Sequence, residues 1–323
     1  MVYDKLSSIT KRIIDDPDAA IDNDEACELA TTTHNAIDLI ISANKIRETY
    51  KTDDTFTCSI INAKSGACSE DCAFCPQSAF HKTKTRIYPL LDKSKIVERA
   101  IEMWNGGVNK FSMVTSGYAL TEKELDLICE AAILIKAKTG LSLCASLGVL
   151  NEDIAKMLKA SGFTNYHHNL ETARSFFDQI CTTHPYDDDI KSVKIAAQAG
   201  LKVCSGGIMG LGESWEQRME LAFTLKELNV ESIPLNFINP IPGTKMAERP
   251  LLAPMDALKC ITLYRLINPL RDITICGGRE ITLGDYQSWT FLAGANGLMV
   301  GDYLTTKGRG LEMDMGMIRN MEI

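Results

Sequence analysis

Nothing in this sequence is long and apolar enough to span a membrane, because no run reaches the roughly 18 apolar residues that a spanning helix needs. Basic excess is missing too. Asp and Glu number 42 against 34 Lys and Arg, for a formal net charge of -8 and a pI of about 5.3. That balance excludes the electrostatic footprint of a nucleic-acid or anionic-membrane binder. The first residues, Met1-Val2-Tyr3-Asp4-Lys5, lack the charged-then-apolar pattern of an export signal, so a cytoplasmic protein is expected. Short-period repeats, low-complexity runs and long linkers are absent as well. What is left is ordinary globular material: 323 residues, 45% hydrophobic, mean hydropathy -0.05, enough for one large core or two modest ones.

Cysteine breaks that ordinariness. There are eleven, an odd and clustered set that argues for metal or redox use in a reducing compartment rather than for disulfides. Three of them fall in Ser65-Gly66-Ala67-Cys68-Ser69-Glu70-Asp71-Cys72-Ala73-Phe74-Cys75-Pro76, spaced C-x3-C-x2-C. One short loop can wrap a single metal centre with that spacing. A zinc site or an ordinary ferredoxin cluster takes four protein ligands, whereas three ligands on four irons leave one iron open. A partial zinc site and redox-idle thiols are the competing readings.

Hydrophobic periodicity supplies the frame. Residues 3–14 and 24–47 read as helices, the first with Leu6, Ile9 and Ile13 on one face, the second with Ala26, Leu29, Ala36, Ile40 and Ala43, widened by Ile37. His34, Asp38, Ser42 and Lys45 fall on the opposite face, and His34 is taken as a half-exposed helix residue. From residue 55 short apolar runs alternate with amphipathic helices: 56–63, 110–115, 141–147, 163–169, 201–209, 232–238, 273–276 and 297–300 as strands. Helices are expected near 94–104, 121–138, 151–160, 172–180, 190–199, 215–228, 254–267 and 286–293. Gly140, Gly162 and Gly200 stand where left-handed helix caps belong. Eight alternating pairs predict an α/β fold, a TIM-type (β/α)8 barrel at 51–310, with a helical extension at 1–50 and a Met-rich tail at 311–323.

The three-cysteine loop directly follows the first strand, and in such a barrel the loops after strands build the active face. Four further cysteines lie in strands one, three, five and seven: Cys58, Cys144, Cys204 and Cys276. Alternate strands contribute the four side chains of one interior layer, so four thiols can form one ring about the axis. Each one alone would pass for a small core hydrophobe. Cys27, Cys129, Cys181 and Cys260 fall on helices or loops and are read as structural.

The C-x3-C-x2-C loop with Phe74 before its last cysteine resembles the radical S-adenosylmethionine (SAM) enzymes. Gly206-x-Ile208-x-Gly210-x-x-Glu213 resembles their second motif, although by itself it could be a tight strand-to-helix turn. The blocks 65–77, Tyr166-His-His-Asn-Leu-Glu-Thr172, 202–213, Gly278-Arg-Glu280 and Ala293-Gly-Ala-Asn296 are similar to those of the biotin synthase family. The resemblance implies conversion of dethiobiotin to biotin, with 5′-deoxyadenosyl radicals abstracting hydrogen and an auxiliary iron–sulfur cluster donating sulfur, a sulfurtransferase reaction. It implies that Cys68, Cys72 and Cys75 hold a [4Fe-4S] cluster. Phe74, Asn169, Glu171, His184, Gly206, Ile208 and Gly210 would meet SAM, and His167, Asn169 and Asn236 the substrate. It also implies a flavodoxin or ferredoxin as electron donor and a homodimer. His167 stands where the family usually has asparagine and His184 where it usually has arginine. Ser112 and Thr274 replace two usual auxiliary ligands, while Cys58 and Cys276 replace serines. We therefore expect an altered auxiliary cluster, of four irons rather than [2Fe-2S], on Cys58, Cys144, Cys204 and Cys276, carrying an additional sulfide. A hydrogenase-cofactor maturase, a methylornithine synthase and a non-catalytic iron–sulfur protein are the alternatives.

Overall fold

Parallel strands close on themselves in the computed structural model, which describes residues 2–31, 36–52 and 55–321. They are β1 (Phe56–Lys64), β2 (Lys110–Thr115), β3 (Ser142–Ser146), β4 (Asn165–His167), β5 in two segments (Lys202–Cys204 and Gly207–Met209), β6 (Ser232–Phe237), β7 (Asp272–Ile275) and β8 (Gly297–Met299). Each pairs with its neighbour, and β8 returns to β1 with Met299 beside Cys58. The (β/α)8 barrel is thus as expected.

The fifth strand differs from the single run anticipated at 201–209. Its first segment pairs with β4 and touches β6 at Ser232, and its second pairs with β6 and bridges Glu171 beyond the end of β4. Ser205 and Gly206 form the break. A methyl group on Gly206 would lie 2.0 Å from the carbonyl oxygen of Pro234, and one on Gly207 2.4 Å from that of Glu171. These glycines therefore let the barrel wall close.

Outer helices cover the sheet. Glu122–Lys138 opens on a capping box between Thr121 and Glu124, and Trp215–Glu227 on one between Ser214 and Gln217. Pro254–Ile267 starts with proline in its first turn, where the missing N–H costs nothing. It is buried along nearly its whole length because Ala36–Lys51 of the N-terminal helices packs over it. Leu6, Ile9 and Ile13 of Val2–Asp15 are buried as their spacing requires, each such burial stabilising by about 1.5–3 kcal/mol.

Several local expectations fail for identifiable reasons. The helix foreseen over 24–47 is described as Asn23–Thr31 and Ala36–Lys51, and His34 lies outside the described residues. Ser42 is buried, not on the polar face, because its hydroxyl is satisfied by the Asp38 carbonyl at 2.9 Å, while Ile37 is exposed. The helix at 172–180 shrinks to Arg174–Phe177, since the chain there turns back to bond the cysteine loop. Gly162 and Gly200 have positive φ, but Gly140 does not; it is small because Trp104 lies against it. The tail folds as the helix Leu311–Asn320, with Asp314 buried.

Candidate active site

Strands alternate their side chains between faces, and the inward set is chemically unusual here. Cys58 on β1, Ser112 on β2, Cys144 on β3, His167 on β4, Cys204 on β5, Asn236 on β6 and Thr274 on β7 all line one cavity of about 340 Å³. Cys276, which follows β7 rather than lying in it, joins them. Three strand-borne thiols and Cys276 thus face one space. Burial pushes the Cys144 thiol up to about 12 and Cys204 well above its ordinary value. A hydrogen bond shared with Cys276 draws Cys58 down and Cys276 up. Thiols so enclosed bind metal only by giving up these protons.

Lys110, which the sequence reading passed over, also lines the cavity. Its ammonium lies 3.4 Å from the centroid of the Phe56 ring and 3.3 Å from Asp272, which Lys51 also reaches at 3.1 Å. That positive charge favours the thiolate form of Cys58, Cys144 and Cys204. A lysine in step with Ser112 in the run Lys110-Phe-Ser-Met-Val-Thr was the available signal.

Above the thiols, Phe74, Asn169, Glu171 and Ile208 line the same cavity, roofed by Tyr303, Leu304 and Thr305. Asn169 bonds the Gly206 N–H at 3.2 Å and the Glu171 carboxyl at 3.3 Å. Glu171 has φ 62°, rare for a residue with a side chain, and its carbonyl accepts the Ile208 N–H at 2.8 Å. Burial pushes its carboxyl up to about 8, with Asp189 adding to the effect and Asn169 opposing it. Burial likewise pushes His167 down to about 4, so its ring is neutral at pH 7. Its Nδ1 lies 3.1 Å from the Ser146 hydroxyl. The Asn236 amide accepts the Gly277 N–H at 3.0 Å and donates to the Gly207 carbonyl at 3.3 Å. Gly210, the last of the glycine set, packs on Ile238 instead.

The cysteine loop follows β1 at the cavity mouth. Gly66 and Ala67 both have positive φ and reverse the chain, and the Gln77 side chain bonds the Ser65 hydroxyl and the Gly66 N–H at 3.0 and 3.2 Å. The Cys75 N–H donates to the Cys72 carbonyl at 3.0 Å, a tight turn carrying both thiols. A second loop, 180–184, clamps the first. Ala73 donates to the Ile180 carbonyl at 2.8 Å, and Asp71 accepts from the Thr182 N–H and hydroxyl at 2.8 and 2.7 Å. Although burial opposes it, these bonds hold the Asp71 carboxyl well below the usual range.

Cys181, read as structural, proves to belong here: its sulfur lies 3.8 Å from that of Cys72. His184 bonds Glu70 at 2.7 Å and approaches Asp189 at 3.5 Å; Asp189 in turn holds His168 at 2.7 Å. Asp189, and then Cys181, push the His184 imidazole up to about 11 against its burial. Cys27, Cys129 and Cys260 sit on outer helices, away from the cavity.

Comparison with known proteins bears on this arrangement. Residues 63–225 match the Radical SAM superfamily, and residues 234–323, which carry Asn236 and the roof, match the Biotin and Thiamin Synthesis associated domain. A biotin synthase of Syntrophus aciditrophicus (strain SB) is 54% identical over 322 residues, covering 99% of this chain and 99% of its own. The chain belongs to the biotin synthase family. A second biotin synthase, from Geotalea daltonii (strain DSM 22248 / JCM 15807 / FRC-32), is 47% identical over 320 residues, 98% of this chain and 97% of its own. Among solved structures, methylornithine synthase superposes with a TM-score of 0.84 over 98% of this chain and 96% of its own. At 17% identity that likeness concerns the fold alone, and the identity to biotin synthases decides between the two readings. No helix among the described residues is long and apolar enough to cross a membrane.

Proposed function

We propose that this member of the biotin synthase family works with two iron–sulfur centres of unequal kind, a SAM-binding [4Fe-4S] cluster on Cys68, Cys72 and Cys75 and an auxiliary four-iron cluster on Cys58, Cys144, Cys204 and Cys276. The observation that carries this reading is the convergence of those last four thiols on one cavity beneath the cysteine loop. Soft thiolates suit iron–sulfur binding, and the hydroxyls of Ser112 and Thr274 beside them offer weaker ligands. When bound, the two centres and SAM supply the 5′-deoxyadenosyl radical and the sulfur for converting dethiobiotin to biotin.

The chain's own residues supply position and exclusion. Asn169 and Glu171, fixed to Gly206 and Ile208, would offer polar atoms to SAM's ribose, and Phe74 and Ile208 would offer apolar surface to its adenine. Gly210 shapes the same turn, and His184 stands at the mouth for SAM's polar end. Asn236 suits a cyclic urea because its amide both donates and accepts. Neutral His167 can bond substrate without adding charge. Unactivated C–H bonds offer nothing to a general base, so the site's work is to hold substrate close and keep water out. The cavity's mainly apolar lining and its Tyr303–Thr305 roof serve that end.

Iron and sulfide analysis of anaerobically purified protein tests the assignment. About eight irons per chain fits two four-iron centres, and about six, a four-iron plus a two-iron centre, would overturn it.

A further inference from the structure

The segment that wraps the cysteine loop is unlike the rest of this acidic surface. Residues 72–91 contain no Asp or Glu, in a chain whose net charge is -8. Within them Lys82, Lys84 and Arg86 are exposed while Thr83 and Thr85 between them are half-buried, so the three cations project outward together. Among the described residues no carboxylate lies within ion-pair distance of any of the three. Phe80 and Ile87, at 62% and 72% exposure, flank them as the two most exposed large apolar side chains described.

The segment is held rigidly against the thiol loop. Ala79 donates to the Cys68 carbonyl at 2.9 Å, the His81 ring meets the Cys75 carbonyl at 2.9 Å, and the Thr83 hydroxyl donates to the Pro76 carbonyl at 2.6 Å. Tyr88 pairs with Ser65 through two backbone bonds, at 3.0 and 3.1 Å. One layer of backbone therefore separates the basic face from two of the three cysteines. Lys245, also exposed, extends the positive rim from the neighbouring loop through its contact with Asp71.

Resting on the assignment above of the SAM cluster to Cys68, Cys72 and Cys75, we propose that this face docks an acidic one-electron carrier protein. One electron leaves the carrier and enters the cluster, and no atom is exchanged. Charge complementarity argues for this partner: three unpaired cations on an otherwise acidic protein attract an acidic surface and repel none of it. The two apolar side chains give a small dry centre of the size that transient redox encounters use. Opposite charge raises the encounter rate and makes it fall with salt.

The test compares wild-type holoenzyme with the K82E/K84E/R86E variant, reduced either by flavodoxin hydroquinone or by dithionite, with 5′-deoxyadenosine as the readout. With dithionite the two proteins are expected to match, which also reports an intact fold and cluster. With flavodoxin at low salt the variant is expected to run at least about tenfold slower, and added salt slows the wild type toward it. A flavodoxin-driven rate in the variant within threefold of wild type would overturn the docking face alone. No 5′-deoxyadenosine from the wild type with dithionite would overturn the cluster assignment, and the docking face with it.

Discussion

The Arg279 guanidinium lies 2.7 Å from the Asp314 carboxylate, and both side chains are wholly shut off from solvent. Arg279 follows the Gly277-Gly278 turn beside the cavity, whereas Asp314 sits in the C-terminal helix Leu311–Asn320. The roof residues Tyr303, Leu304 and Thr305 hang between these two anchors. Removing one partner of a buried pair costs about 3–5 kcal/mol when the other charge is left alone, and here Glu280, 3.5 Å from the same guanidinium, compensates only part of the loss. Asp314→Ala is therefore expected to lower the thermal midpoint of the protein clearly. Replacing both residues with apolar ones of similar size should recover much of the loss, and equal midpoints for wild type and Asp314→Ala would show the clamp to be idle.

Glu171 gives the cavity a pH signature. Its carboxyl, pushed up to about 8 mainly by burial, stays protonated in the fold at pH values where the unfolded chain ionises. The fold is then penalised progressively as pH rises from near the ordinary carboxyl value toward about 8, because the unfolded state alone gains from ionisation. Glu171→Gln removes that slope. In cofactor-free protein the variant's melting temperature relative to wild type is expected to climb between pH 5 and 8, and a constant difference would contradict the burial effect.

Much of this was readable beforehand, and the parts that were not have two causes. Buried parallel strands announce themselves as apolar runs between amphipathic helices, so β1, β2, β6 and the helix Pro254–Ile267 fall where periodicity puts them. The inward thiols were legible because period-two alternation fixes which side Cys58 and Cys144 face. Cys181 and the roof were not, because their places depend on segments meeting across more than a hundred residues, as Cys181 meets Cys72 and Leu304 meets Asn62. Lys110 was hidden for a different reason. A charged residue at the first position of a barrel strand reads as solvated until Asp272 and Phe56 are seen to receive it.

The glycine at the break in the fifth strand carries its own prediction. A Cβ at position 206 would press on the Pro234 carbonyl, which is backbone and cannot swing away. Gly206→Ala is expected to cost about 1–3 kcal/mol through overpacking and to lower the melting temperature even of cofactor-free protein. A variant that melts like wild type but loses SAM affinity would instead place the glycine's role entirely at the ligand.

The two sets of thiols should be separable by mutation, because they stand on different supports. Cys68, Cys72 and Cys75 ride on a loop pinned by Gln77, Asp71 and Ile180, none of which lines the cavity that the four inward cysteines face. Cys144 sits on β3 in the wall below. Cys144→Ala is therefore expected to leave the loop intact, to drop iron from about eight to about four per chain, and to abolish biotin formation while reductive cleavage of SAM persists. Cys260→Ala is the control: that thiol is more deeply buried than Cys144 but lies on the outer helix Pro254–Ile267, away from the cavity, so its iron content should equal that of wild type. If Cys144→Ala kept all its iron, or if it lost SAM cleavage along with the auxiliary irons, the division of labour between wall and loop would be wrong.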